Sequence, residues 1–543
     1  MILAVGLSFV NYNSIQVGVW QDDANYLILA ESLIAGGQYG LIHFPQPGGA
    51  NFPFGYPLML APLLWLFDGS ITVARLFSVA ATLFNAALLF WGWPWFSRRS
   101  RWWAVMVIAL YISAPFVVVL TRSAMSEPIF TTLTLLAILF TEQIARRDKP
   151  SLWWRFGLSL TLLLAVATRT IGVTLVFAVF AYLLLALGKR FWKEPLLIVS
   201  QMALIMGLIV LATPVSLQNV VPARYFQGSN ASFVQGVSAG LADDAPLSEN
   251  LSEAYILPEE ETGDEAGLNF KKLFYDYFID GGSQHLGEDL RLAVFPFGGG
   301  RTEQLLADHI GLTNLPLLVG FTLSVVIIIG FGRWVWGEGL SAFLLFPIFY
   351  SGLLAVWVWN GSRLLYPIVP QLFFGLLLGA EALAVLAVRL FRKPNWRPAV
   401  VKAAVGTVLV VVLGGALYKS IIIDDTRLHV GDLTVRTEWV KANIPASAVV
   451  MSEYPHLDYI YSDHQAVPMP QAPSTDQLTA YLAEQNVDVI IVGPEILWQY
   501  RYSPSYSKET ELFLATLEKM ALQDQVRLIH SAAADWVQVF TVQ

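Results

Sequence analysis

Residues 155–190 read RFGLSLTLLLAVATRTIGVTLVFAVFAYLLLALGKR. Between the basic ends, 157–187 is nearly all apolar, and a single arginine, Arg169, stands at its centre. A helix that crosses a bilayer needs about 20 mostly apolar residues. One helix through this stretch would leave a basic cluster on each side of the membrane. Two short helices turning at Thr168-Arg169-Thr170 keep both clusters on one side, as the positive-inside rule favours. The hairpin is therefore the expected structure, with Arg169 at or just below the outer surface.

The rest of the chain agrees with a membrane reading. Of 543 residues, 55% are hydrophobic and only 14% charged, against roughly 25% charged in soluble domains. Mean hydropathy is +0.56. Such a chain cannot cover its apolar surface in water, which excludes a soluble enzyme or a disordered chain. There is no cysteine, so disulfides, thiolate metal sites and cysteine nucleophiles are excluded too. A net charge of −8 gives no reason to expect nucleic-acid binding.

Apolar runs place about eleven spans, near 1–19, 71–96, 102–121, 128–143, 157–168, 171–187, 196–213, 315–332, 340–359, 366–388 and 399–420. The first begins at Met1 with no basic residue before it, so no signal-peptide pattern is read and an upstream start is allowed for. Basic groups gather at Arg98–Arg101, Arg146–Arg155, Lys189–Lys193, Arg333 and Arg389–Lys402. These ends are assigned to the cytoplasm. The fold class expected is a polytopic α-helical membrane protein with a C-terminal α/β extracytoplasmic domain. Residues 1–423 form the membrane domain, with outer loops at about 20–70 and 214–314. Residues 424–543 form the terminal domain, with strands at Ala448–Ser452, Val487–Val492, Gln525–His530 and Trp536–Val542, and helices at Thr475–Gln485 and Lys508–Leu522.

The candidate site residues all fall at outer ends. The first loop opens with Trp20-Gln21-Asp22-Asp23-Ala24-Asn25-Tyr26, before a helix at Ala24–Ala35. Asp22 or Asp23 reads either as a helix cap or as a catalytic carboxylate at the membrane surface. The loop Thr121-Arg122-Ser123-Ala124-Met125-Ser126-Glu127-Pro128 puts an arginine and an acid at the same height, though Ser126 and Glu127 also suit a helix start. Trp359-Asn360-Gly361-Ser362-Arg363-Leu364-Leu365-Tyr366-Pro367 adds an arginine and a tyrosine. A lone outer arginine reads as a snorkelling anchor. Arg122, Arg169 and Arg363 together, with acids nearby, read as a phosphate-binding site. The acidic stretch Asp243–Glu265 reads as solvated, the segment Phe270–Phe278 as interfacial, and Gly298-Gly299-Gly300-Arg301 lacks the ending of a phosphate loop.

In order, these are paired acids after span one, a Gly-Tyr-Pro return at Gly55, Ser126-Glu127-Pro128 after span three, an arginine turn between short helices, and Arg-x-x-Tyr-Pro from Arg363. The series resembles membrane glycosyltransferases of the GT-C fold. The branch it resembles holds the protein O-mannosyltransferases and lipid A aminoarabinose transferases. The resemblance covers about residues 1–420. It implies an inverting transfer of a sugar from a polyprenyl-phosphate donor to a lipid, glycan or protein acceptor on the outer face of the plasma membrane. By position it makes Asp22 the catalytic acid with Asp23 beside it, where the family often has Asp-Glu. It sets Arg363 and Arg169 on the donor phosphate, with Arg122 and Tyr366 as further phosphate-binding residues, and gives Glu127 a supporting role toward the acceptor or the base. Some members use a divalent metal, which Asp22 with Glu127 could hold; others do not. Two other classes stay open: a lipid or solute transporter or flippase, and a non-catalytic subunit of a membrane complex.

Overall fold

The computed structural model describes residues 17–18, 20–36, 39–45, 48–49, 52–188, 193–213, 289–295, 315–354, 362–421, 437–470, 473–492, 504–532 and 537–543, and the single positions Gly6, Phe9 and Val215. The span read near 1–19 lies almost wholly outside them. So do the acidic stretch, the 270–278 segment and the glycine run at 298–300.

Helix α1 (Asp22–Ile34) leads to a short antiparallel ribbon, β1 (Gly40–Leu41) with β2 (Gly48–Gly49), and then to α2 (Gly55–Leu66). Next come α3 (Ile71–Phe96), α4 (Arg101–Ser113), α5 (Pro115–Thr121), α6 (Glu127–Ala145), α7 (Leu152–Thr168), α8 (Val173–Leu187) and α9 (Lys193–Ala212). After α10 (Leu290–Val294), the bundle continues with α11 (Leu315–Glu338), α12 (Ala342–Leu354), α13 (Val369–Leu390) and α14 (Arg397–Ile421). Among the described residues, seven helical segments are long and apolar enough to cross a bilayer, and the pair α4–α5, bent by 65°, makes eight. The bend falls at Ala114-Pro115, where the proline ring ends one helix and starts the next. Of the shorter apolar helices, α7 covers the stretch read as a span at 157–168 and α12 falls within that at 340–359. Large apolar side chains such as Trp91, Trp102, Trp153, Leu211 and Trp336 stand exposed around the bundle, which suits contact with lipid and not water.

One departure from the sequence reading concerns the first loop. It contains the apolar helix α2, which packs on α1, α3 and α7. At about 1.5 Å per residue its twelve residues span about 18 Å, too short for a core of about 30 Å. The helix lies against the bundle as a wedge and carries the Gly-Tyr-Pro motif at its start.

The bundle is held by different chemistry at its two ends. At the basic end, Arg99 bridges Glu338 (3.3 Å) and Glu381 (2.9 Å), tying the α3–α4 turn to α11 and α13. Buried Glu142 accepts the amide of Ala342 at 3.2 Å and the Tyr182 hydroxyl at 2.9 Å, and so satisfies the start of α12. Midway along the bundle, α11 and α13 cross through glycines. A Cβ on Gly330 would lie 1.8 Å from the Gly375 carbonyl oxygen, and one on Gly379 2.0 Å from that of Val326. Small residues of this kind let two membrane helices touch backbone to backbone.

The C-terminal portion is a mixed five-stranded sheet of order β4-β3-β5-β7-β6. Its strands are β3 (Val450–Ser452), β4 (Ala466–Pro468), β5 (Val489–Val492), β6 (Val526–Ala532) and β7 (Val537–Val542). β3 pairs parallel with β4 and β5, while β7 runs antiparallel to β5 and β6. Continuous apolar burial along β5 marks a strand covered on both faces. The helices are α15 (Pro455–Ser462), α16 (Thr475–Glu484) and α17 (Pro504–Leu522). The short elements α15 and β4 were not read from the sequence.

Candidate active site

Asp22 and Asp23 open α1, and neither is its cap. The capping position is Gln21, whose side chain makes no capping bond. The turn before the helix is tight: the Gln21 amide donates to Gly18 O at 3.0 Å and the Asp22 amide to Trp20 O at 2.6 Å. Gln21 holds φ at 58° and Gly18 at 105°. A glutamine in the left-handed region costs on the order of 1 kcal/mol and persists where its surroundings over-determine it.

This turn sends the two carboxylates in different directions. Asp22 forms an ion pair with Arg363, Oδ2 to Nη1 at 2.8 Å, and both remain partly exposed at 23% and 33%. Asp23 is fully buried. Its Oδ1 accepts the Ala24 amide at 3.0 Å, and its Oδ2 has no hydrogen-bond partner among the described residues. Burial pushes the Asp23 carboxyl up to about 7, helped by the neighbouring charge of Asp22 and opposed by the Gly18 and Ala24 amides.

A second ion pair stands beside the first. Arg169, at the turn after α7, reaches Glu127 Oε1 at 2.8 Å. Glu127 is wholly buried at the start of α6. The Ser126 hydroxyl accepts from Arg169 Nη1 at 3.0 Å and donates to Tyr26 Oη at 3.1 Å, so it fixes the guanidinium and does not cap α6. Tyr26 packs edge-on against Phe52 and Tyr56. The pairs act on each other: Arg363 lies in the field of Asp22, Glu127 and Arg169. Two acids and two arginines from four separate segments thus share one end of the bundle with no net charge.

Arg122 and Tyr366 lie behind this cluster. Arg122 is buried, at 2% exposure, and its carbonyl accepts from Arg75 Nε at 2.7 Å, which pins the 122–126 loop to α3. Tyr366 belongs to the 3₁₀ turn Ser362–Ile368 and points into the bundle. Its hydroxyl meets Thr82 at 3.1 Å and Tyr111 at 3.2 Å, in a buried polar network completed by Thr121 and Asn85. Tyr350 Oη donates to Leu364 O at 2.6 Å and anchors the same turn. These bonds hold Arg363 in place from below. Among the described residues no group of three His, Asp or Glu side chains converges.

No protein-family model matches the chain, and no curated protein matches it in sequence. Solved structures do match. The apo structure of ArnT from Cupriavidus metallidurans aligns over 99% of this chain and 97% of its own, with a TM-score of 0.51 and 13% identity. The oligosaccharyltransferase AglB from Archaeoglobus fulgidus, in complex with an inhibitory peptide and a dolichol-phosphate, aligns over 94% of this chain and 71% of its own, with a TM-score of 0.51 and 12% identity. The A. fulgidus enzyme with Zn and sulfate aligns over 95% and 68%, with a TM-score of 0.53 and 12% identity.

The chain has the GT-C fold.

The GT-C architecture expected from the order of short motifs is therefore present, with a C-terminal domain after the bundle. Pairing within the site was not legible from sequence. Nothing in the spacing says that Asp22 takes Arg363 while Glu127 takes Arg169. The roles of Tyr26 and Ser126 were missed for the same reason. A serine before Glu-Pro reads as a cap, and only the fold brings Arg169 to it.

Proposed function

We propose that this protein is an inverting glycosyltransferase that moves a sugar from a polyprenyl-phosphate donor to an acceptor at the site end of the bundle. The observation that carries the reading is the pair of arginine–carboxylate contacts, Asp22–Arg363 and Glu127–Arg169, within one cluster at the end remote from the basic loops. A GT-C neighbour in complex with a dolichol-phosphate and an inhibitory peptide supports a lipid-linked donor and an acceptor that is not itself the donor.

The chemistry follows from the pairs. Guanidinium groups bind phosphate through paired charge-assisted hydrogen bonds. A donor phosphate drawing Arg363 away from Asp22 frees that carboxylate as a base. The acceptor oxygen then attacks the anomeric carbon, and its proton passes to Asp22. The bond from that carbon to the phosphate oxygen breaks, and the electron pair leaves on the phosphate. Arg363 and Arg169 meet the developing charge. Glu127 keeps Arg169 oriented, and Arg122 and Tyr366 brace the site from behind. A divalent ion between Asp22 and Glu127 would compete with both arginines for these carboxylates.

The same reading places the site and residues 424–543 on the extracytoplasmic face of the plasma membrane, with 1–423 as the membrane domain. Ala480 is exposed on α16 and, unlike Ser474, takes no part in capping that helix. With no native cysteine, Ala480→Cys should react with an impermeant thiol reagent in intact cells. Reaction only after lysis would reverse the orientation. The function is tested by transfer of labelled sugar by the purified protein. A prenyl-phosphate sugar should serve as donor and raise the melting temperature. Stabilisation and turnover by a nucleotide sugar in its place would overturn the donor assignment.

A further inference from the structure

The turn that aims Asp22 and Asp23 is strained, and it is not held by the bundle alone. Helix α15 of the C-terminal domain lies directly on it. His456 Nε2 is 3.2 Å from the Gly18 carbonyl oxygen. A carbonyl only accepts, so this nitrogen carries the proton and donates. Tyr461 Oη donates to Val17 O at 3.0 Å, and Tyr459 Oη to Glu31 Oε2 at 3.2 Å near the far end of α1. Leu457 fills the space beside residue 18: a Cβ there would lie 1.9 Å from Leu457 Cδ2. Only glycine fits, and its φ of 105° suits glycine as well. Gly18 in turn accepts the Gln21 amide through the carbonyl that His456 holds. The loop is gripped again where the Ala466 amide donates to His43 O at 2.8 Å.

We propose that His456 is a positioning residue for the transfer, acting through Gly18 on the turn that aims Asp22. The C-terminal domain then serves the chemistry mechanically and touches neither sugar nor phosphate. This rests on the function proposed above. The grip links two parts of the chain more than four hundred residues apart and bears on the two residues before the strained turn. A bond that only docked the domain would have no reason to fall on the carbonyl that closes that turn.

The test uses the full-length protein, with His456→Ala, His456→Gln and Tyr461→Phe. His456→Ala should lower kcat by roughly ten- to hundredfold, the range that small misplacements of catalytic groups produce. The thermal shift given by a short-chain prenyl-phosphate sugar should stay at the wild-type value, because Arg169 and Arg363 are untouched. His456→Gln should recover most of the rate, since its amide N–H can reach the same carbonyl. Tyr461→Phe removes one hydroxyl and keeps the ring, so it reads the same grip if His456→Ala fails to fold. On an Asp22→Asn background, His456→Ala should lower the rate no further. Hydrogen exchange should rise at 17–26 and not in β5 or α13. Wild-type kcat in His456→Ala and Tyr461→Phe overturns the proposal, and so does unchanged exchange at 17–26. If the wild type transfers no sugar, the glycosyltransferase reading fails. Exchange then decides alone whether α15 holds the turn.

Discussion

Asp22→Asn is expected to lower sugar transfer by about 10²–10⁴-fold, the usual worth of a general base. Asparagine keeps the shape of the side chain and can still accept from Arg363 at the 2.8 Å position. It cannot take the acceptor's proton. The fold should survive, because the lost charge sits at a partly exposed ion pair. The control is Asp23→Asn. Asp23 is buried, and its environment already favours the neutral form up to about pH 7. An amide there keeps an acceptor for the Ala24 amide, so a loss of less than tenfold is expected. Near-normal turnover in Asp22→Asn beside an inactive Asp23→Asn would transfer the base to the buried residue.

Arg363→Ala should weaken binding of a prenyl-phosphate sugar by about 10²-fold. Charge-assisted hydrogen bonds are worth roughly 1.5–3 kcal/mol each, and a bidentate contact makes two. Arg363→Lys should fall between wild type and alanine, because lysine keeps the charge and loses the planar fork. Thermal shift against donor concentration reads the series directly. Arg169 gives a sharper contrast. Removing it strands Glu127, which is wholly buried. A buried carboxylate without its partner is strongly destabilising, so Arg169→Ala should lower the melting temperature even before donor is added. Equal donor affinity in Arg363→Ala and wild type would remove Arg363 from the phosphate site.

Much of the bundle was legible because a bilayer leaves a coarse signature. Runs of apolar residues and the asymmetry of lysine and arginine need no tertiary information. The turn at Arg169 could be inferred from the basic clusters that flank it. The acids of the first loop could be singled out because a carboxylate beside a span is costly without a use. Other features depend on distance in space. The direction of Asp23 is set by a turn whose φ values no propensity gives. Helix α2 is apolar and contains Pro62, so it reads as part of a loop returning to the membrane. The partner of Glu142, the amide that starts α12, is two hundred residues away. The grip of α15 on Val17 and Gly18 has no local signal at all, since histidine and tyrosine in a small α/β domain are ordinary residues.

The glycine crossing of α11 and α13 sets which parts of the bundle can give way. Two backbones in contact at Gly330, Gly375 and Gly379, with Val326, Ile327 and Phe331 packed against the glycines, leave little room to repack, so that pair behaves as a fixed keel. Arg363 sits just before α13 and is anchored to the keel's end. If the donor is a polyprenyl-phosphate sugar, as proposed, its long tail has to slide in from the bilayer to bring the phosphate to Arg363. The room for it then comes from the rim, where α9 and α14 are, among the described residues, the least enclosed of the crossing helices. Loading the donor is then a matter of planks parting at the hull while the arginine that receives it stands still.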